Sequence, residues 1–217
     1  QMGEKSETIF TIGSPDVDLM FSDNLPTLSK AKNKYDISFE NYSICLFHPV
    51  TTEINYIKEQ VDCLINVLIK SQKNYILIYP NNDLGSKIII DAYHDIRLDN
   101  MKILPSLRFE YFLTILKNSE FIIGNSSAGI REAPYYSINS INLGSRQNKR
   151  DKNKMIINSD FDEDKILNII NNLTFSDKTK SIQNFGTGKS SEMFVRVLKS
   201  KKIWETNNQK EFQDIDW

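Results

Sequence analysis

Short apolar runs follow one another along this chain with amphipathic stretches between them, and that alternation is what most constrains the fold. Strands of a parallel sheet are buried on both faces, so they read as continuous apolar runs. The crossover helices between them show a single apolar stripe. The pattern therefore predicts an α/β domain built on a mostly parallel sheet. The first strand is expected at Tyr42 to Phe47, stopped by His48-Pro49 because proline cannot donate to a ladder. A helix is expected from Glu53 to Lys70, where Ile57, Val61, Leu64, Ile65 and Leu68 recur at helical spacing. Strands at Tyr75 to Tyr79, Lys102 to Leu104, Phe121 to Ile123 and Ser140 to Leu143 continue the series. Between them lie helices at Gly85 to Ile96 and Arg108 to Lys117, and one beginning near Gly129 that Pro134 must end or kink. A polar loop from Gly144 to Lys154 precedes helices at Asp162 to Leu173 and Lys189 to Ser200. Thr8 to Ile12 reads as a short β-like run, and residues 22–41 as a loop or broken helix. A chain that opens on Gln1 and drops so soon into a β-like run reads as the middle of a longer protein.

The 217 residues suffice for one large α/β domain with a real core. A hydrophobic share of 40% and a charged share of 25% argue against disorder. Lys plus Arg is 27 and Asp plus Glu 28, a net charge of −1, which gives no electrostatic reason to expect a nucleic acid partner. No apolar run is long enough to suggest a membrane partner. Cys45 and Cys63 lack CxxC spacing and are expected to be buried and reduced, as in a cytoplasmic protein. Two cysteines and two histidines without zinc spacing predict no metal site, and nothing calls for a cofactor.

In an open parallel sheet, ligands bind beyond the carboxyl ends of the strands. Polar clusters collect there: His48, Asn81 to Asp83, Leu104-Pro105, and the turn Gly124-Asn125-Ser126-Ser127-Ala128-Gly129. A strand, a small-residue turn and a helix start form an anion-binding geometry, to which Ser126 and Ser127 add hydroxyl donors. The turn is not a P-loop, since the GxxxxGK[ST] spacing and its lysine are missing. The competing reading is that Asn125 or Ser126 simply caps a helix. Glu132 would repel a nearby phosphate but could accept from ribose hydroxyls, or could be a solvated glutamate. His48 could donate to a diphosphate or assist a departing phosphate oxygen, or be a structural histidine. Arg146 suits bidentate recognition of phosphate, or belongs to a solvated basic loop.

Three segments carry a resemblance. His48-Pro49-Val50-Thr51-Thr52, Tyr79-Pro80-Asn81-Asn82-Asp83-Leu84-Gly85-Ser86-Lys87 and GNSSAGIREAPYYSINSINLGSRQNKR (Gly124 to Arg150) resemble the hydrolysing UDP-N-acetylglucosamine 2-epimerases of sialic-acid-type biosynthesis. The resemblance extends over nearly the whole chain. Non-hydrolysing relatives usually carry an Asp-Ser-Gly-Gly turn and a Thr-Glu-Arg-Pro-Glu loop in place of Asn125 to Gly129 and Ser145-Arg146-Gln147. The resemblance implies a Rossmann-like, mostly parallel sheet flanked by helices, similar to the C-terminal half of a GT-B-type two-domain fold. Residues 1–24 would end the interdomain hinge, 25–200 would form the nucleotide-sugar-binding domain, and 201–217 would be a tail against an absent N-terminal domain. Trp204 and Phe212 are the tail residues expected to make that contact.

By the same resemblance, His48, Ser126, Ser127 and Arg146 would face the diphosphate of a UDP-sugar, with His48 also catalytic. Glu132 would hold the ribose, and Asn81 and the backbone around Leu104 the base. The implied reaction eliminates UDP to a glycal, which water converts to N-acetylmannosamine. The family's catalytic carboxylates lie in the N-terminal domain, so this chain alone is expected to be inactive. The implied partners are the UDP-sugar, the N-terminal domain and, since family members are often oligomers, further copies of the chain. Two departures stand out. Ser137, Asn139 and Ser140 occur where Gly and Pro are common, and Lys149 where Gly is common, which points to an altered sugar such as the diacetylated bacillosamine of the legionaminic-acid branch. The rival readings are the donor-binding half of a GT-B glycosyltransferase and a non-catalytic nucleotide-binding module. Ser145-Arg146-Gln147 and the absence of a Glu-x7-Glu pattern favour the epimerase.

Overall fold

The computed structural model describes residues 3–174, 185–209 and 213. They form two compact units, one drawn from Gln1–Asp23 with Gln183–Trp217 and the other from Asn24–Ile182.

The larger unit holds the sheet. Its strands are β1 (Ser43–Leu46), β2 (Tyr75–Ile78), β3 (Met101–Leu104), β4 (Phe121–Gly124), β5 (Asn139–Leu143) and β6 (Ile156–Ser159). They lie in the order β3-β2-β1-β4-β5-β6, and every pairing is parallel. This is the doubly wound Rossmann order, in which the direction of winding reverses between β1 and β4. Side chains alternate across the sheet. Cys45, Tyr75, Leu77, Phe121, Ile123, Ile141 and Leu143 point to one face and build a core with helices Ile57–Lys70, Ser86–His94 and Glu163–Asn172. On the other face, buried Ile44 and Ile122 lie on the side of helices Leu28–Tyr35 and Phe109–Lys117, where the Tyr42 hydroxyl donates to the Ile115 carbonyl at 2.9 Å.

In chain order the helices are α1 (Pro15–Met20), α2 (Leu28–Tyr35), α3 (Ile57–Lys70), α4 (Ser86–His94), α5 (Phe109–Lys117), α6 (Ala128–Arg131), α7 (Glu163–Asn172), α8 (Ser190–Lys199) and α9 (Lys201–Trp204). No helix among the described residues is long and apolar enough to cross a membrane.

The smaller unit packs α1 against α8. The Asp18 carboxylate accepts from the Ser190 and Ser191 amides at 2.7 and 2.9 Å, satisfying donors at the α8 N-terminus that the helix cannot use itself. Trp204 is 72% exposed and donates its indole N–H to the Leu198 carbonyl at 2.8 Å. Phe212, the other tail residue singled out in the sequence, lies outside the described residues.

Several elements differ from the sequence reading. Thr8 to Ile12 is not a strand: a 3-10 turn at Ser6–Thr8 leads into irregular chain, and Ile9 is exposed. A β-rich composition makes a strand only where another strand supplies the ladder. Residues 22–41 contain a true helix, α2, capped by the Thr27 hydroxyl accepting from the Lys30 amide. β6 was absent from the sequence reading, because Ile156-Ile157 is too short a run to announce a strand and pairing with β5 decides it. Helix α3 is preceded by a 3-10 segment at Thr51–Tyr56, so the α-helical part begins only at Ile57. α8, read from sequence as part of the sheet domain, packs in the smaller unit with α1. Cys45 is fully buried, whereas Cys63 is only half-buried.

Candidate functional site at the switch point

The reversal between β1 and β4 leaves a crevice beyond their carboxyl ends. β1 pairs with β4 as far as Leu46 opposite Gly124, and the two loops that follow begin at Phe47 and Asn125. Gly124 makes this approach possible. Its φ is +134°, and a Cβ there would lie 2.2 Å from the Leu46 carbonyl oxygen. Gly129 serves the next contact, since a Cβ there would lie 2.3 Å from the Ser140 hydroxyl, so only glycine lets α6 settle against β5.

Asn125 is 1% exposed and binds in both directions. Its Oδ1 accepts from the His48 amide at 2.7 Å, and its Nδ2 donates to the His48 carbonyl at 2.8 Å. Its own carbonyl accepts from Arg146 Nη1 at 3.1 Å and from Gln147 Nε2 at 3.0 Å. The residue therefore ties together the loops that follow β1, β4 and β5. It does not act as the helix cap that the sequence suggests, and the sequence gives no sign of this tie because its partners are 77 and 21–22 positions away.

The Asn81 amide donates to His48 Nδ1 at 3.1 Å, so the neutral imidazole carries its proton on Nε2. Burial, with the Arg146 guanidinium as a second cause, pulls the His48 pKa down to about 4. His48 is accordingly a neutral N–H donor near pH 7 and is not an imidazolium. Glu53, which sequence reasoning also missed, holds the Arg146 loop from the other side. Its carboxylate accepts from the Ser145 hydroxyl and from Gln60 Nε2.

A cleft of about 450 Å³ opens here, lined by His48, Asn81, Ser127 and Glu132 and walled by apolar groups that include Pro80, Leu107, Phe109 and Phe112. Four of the expected residues thus share one cavity. Ser126 stands outside the lining and its hydroxyl accepts from the Ala128 amide at 3.3 Å. Arg146 sits beside the cleft, half-buried, through its bond to Asn125. Leu104 is a buried ladder residue whose carbonyl accepts from the Tyr79 amide at 3.0 Å, and the wall is formed by the residues after it, Pro105 to Leu107. Glu132 is buried at 8% exposure, which removes the solvated-glutamate reading.

The helix dipole is a smaller resource than the sequence suggested. α6 is only four residues long, ends before Glu132, and passes into a 3-10 turn at Ala133–Tyr136 that contains Pro134. So short a helix sums few peptide dipoles. An anion at this edge would have to be held by amides, hydroxyls, the His48 N–H and the Arg146 charge. Of the departures noted in the sequence, Ser137 and Lys149 fall on left-handed backbone, with φ +56° and +64°, whereas Asn139 and Ser140 lie in β5.

A six-stranded, doubly wound parallel sheet with a cleft at its switch point defines a Rossmann-type α/β domain. Residues 1–199 match the family described as UDP-N-acetylglucosamine 2-epimerase, and the chain belongs to that family. It is 41% identical over its full length to a UDP-N-acetylglucosamine 2-epimerase of Neisseria meningitidis serogroup B, covering 58% of that protein. It is 33% identical over 92% of its length to a UDP-N,N'-diacetylbacillosamine 2-epimerase (hydrolyzing) of Legionella pneumophila, covering 54% of it. The chain thus spans a little over half the length of these relatives. Among solved structures, the UDP-GlcNAc 2-epimerase of Methanocaldococcus jannaschii in complex with UDP-GlcNAc and UDP shares the fold, at a TM-score of 0.71, 19% identity, and coverage of 90% of this chain and 56% of that one.

Proposed function

We propose that this chain is the UDP-binding half of a hydrolysing UDP-N-acetylglucosamine 2-epimerase, which converts UDP-N-acetylglucosamine and water to N-acetylmannosamine and UDP. The observation that carries the reading is the knot at the switch point, where Asn125 brings the His48 imidazole and the Arg146 guanidinium to the same cleft edge. A neutral Nε2–H and a permanent cation suit a diphosphate that gains charge as the C1–O bond breaks. Ser127 adds a hydroxyl, Glu132 is placed to accept from ribose hydroxyls, and the apolar wall from Leu107 to Phe112 suits the flat base. His48 works in this scheme as a hydrogen-bond donor to the leaving diphosphate, since a neutral imidazole is too weak an acid to hand over its last proton. The base that removes the C2 proton comes from the other domain of the full-length protein, so turnover needs both halves.

Titration with UDP tests the reading. A charge-assisted hydrogen bond contributes roughly 1.5–3 kcal/mol, so Arg146→Ala should weaken UDP by about 10- to 150-fold. Equal affinity in wild type and variant would remove the diphosphate from this edge. With the full-length protein, release of free N-acetylmannosamine separates hydrolysis from simple epimerisation, in which UDP stays on the sugar. The Legionella relative supports a second substrate, a UDP-linked diacetylbacillosamine, and offering both sugars to the same protein decides between them.

A further inference from the structure

We propose that Asn125 is a positioning residue that joins the two diphosphate-facing groups into one unit, its side chain fixing the His48 loop and its carbonyl fixing Arg146. The inference deepens the function proposed above and rests on it for the ligand, but the positioning itself can be read without ligand.

Three observations carry it. First, the Asn125 side chain uses both its acceptor and a donor on one residue, closing a two-bond ring with the His48 main chain at 2.7 and 2.8 Å. Such a ring removes the freedom of the loop after β1 to slide or twist. Second, the His48 ring is oriented by the Asn81 amide at 3.1 Å, a contact that exists only while the His48 backbone is held at this place. Third, the Asn125 carbonyl is the acceptor for both Arg146 and Gln147, so the peptide pinned by the first ring is the one on which the guanidinium rests. Gln147 is 2% exposed and strengthens that seat from within. The charged groups acting on the imidazole are Arg146, which disfavours its protonation, and Asp83, which favours it. Asn125 adds no charge of its own to this balance. A carboxylate at the same place would shift the balance toward imidazolium and replace the donor that His48's carbonyl requires.

The test uses the full-length protein in two arms, with Asn125→Ala and the milder Asn125→Ser, each checked for an intact fold by circular dichroism. In the first arm, nitrogen NMR follows the His48 imidazole without ligand. The wild type should hold the Nε2–H form and resist protonation down to about pH 4. In the variants the ring should lose that tautomer preference and titrate closer to the ordinary 6.5. An unchanged tautomer and titration in both folded variants would overturn the proposal whether or not UDP binds. In the second arm, UDP affinity is measured for Asn125→Ala, Arg146→Ala and the double variant. Positioning predicts that Asn125→Ala alone costs about tenfold or more, and that Arg146→Ala costs far less in its background than in wild type. Losses that simply multiply would overturn the coupling. Absence of UDP binding by the wild type would refute the functional reading while leaving the first arm to judge Asn125.

Discussion

The depressed His48 pKa makes the protein's stability depend on pH in a defined window. The imidazole falls from its ordinary 6.5 to about 4 because burial and Arg146 disfavour the cation. Between those values the unfolded chain binds a proton that the folded chain refuses, so the unfolded state gains as pH falls. The contribution is fully present above about pH 6.5 and is lost progressively down to about pH 4. At pH 5 the two pKa values differ enough in occupancy to lower stability by about 2 kcal/mol relative to pH 7.5. His48 is only part-buried, so solvent screening reduces this toward about 1 kcal/mol. Urea denaturation at the two pH values, for wild type and His48→Asn, isolates the effect. Asparagine keeps an acceptor near the Nδ1 position for the Asn81 amide but cannot titrate. The wild type should lose about 1–2 kcal/mol more than the variant on going to pH 5. Carboxylates with depressed pKa values, such as Asp162 and Glu163, titrate in both proteins and cancel. Equal losses in the two would refute the claim that the fold refuses the imidazolium.

Other expectations follow from the backbone and the close contacts. Ser137→Gly and Lys149→Gly should each raise stability by about 0.5–1 kcal/mol in thermal melts, because φ +56° and +64° cost a side chain more than glycine's added entropy. A lowered midpoint for both would contradict that. Gly129→Ala should destabilise by roughly 1–3 kcal/mol through its clash with the Ser140 hydroxyl. Adding Ser140→Ala should recover part of the loss, and no recovery in a double-mutant comparison would put the strain elsewhere. Gly124→Ala should be worse, with no rescue of this kind, because the atom it meets is the Leu46 carbonyl oxygen; expression of a normally melting variant would be the contrary result.

The order of elements was legible in the sequence because the signals are local. Ile57, Val61, Leu64 and Leu68 recur at the helical period whatever they pack on, and Tyr75 to Tyr79 reads as a buried strand, one residue longer than the observed Tyr75–Ile78. That His48, Asn81 and Ser127 would meet at one cleft was legible too, since each follows a strand and strand ends in a parallel sheet share one edge. The signature from Gly124 to Arg150 pointed to the family. Tertiary structure alone decided which strands are neighbours, that Ile156–Ser159 joins the sheet, and that Thr8 to Ile12 does not. It also decided that Asn125, read as a possible cap, is the buried tie between His48 and Arg146. The physical reason is the same in each case. Periodicity and turn chemistry are properties of neighbouring residues, whereas a ladder or a buried amide is satisfied only by groups that folding brings from far along the chain.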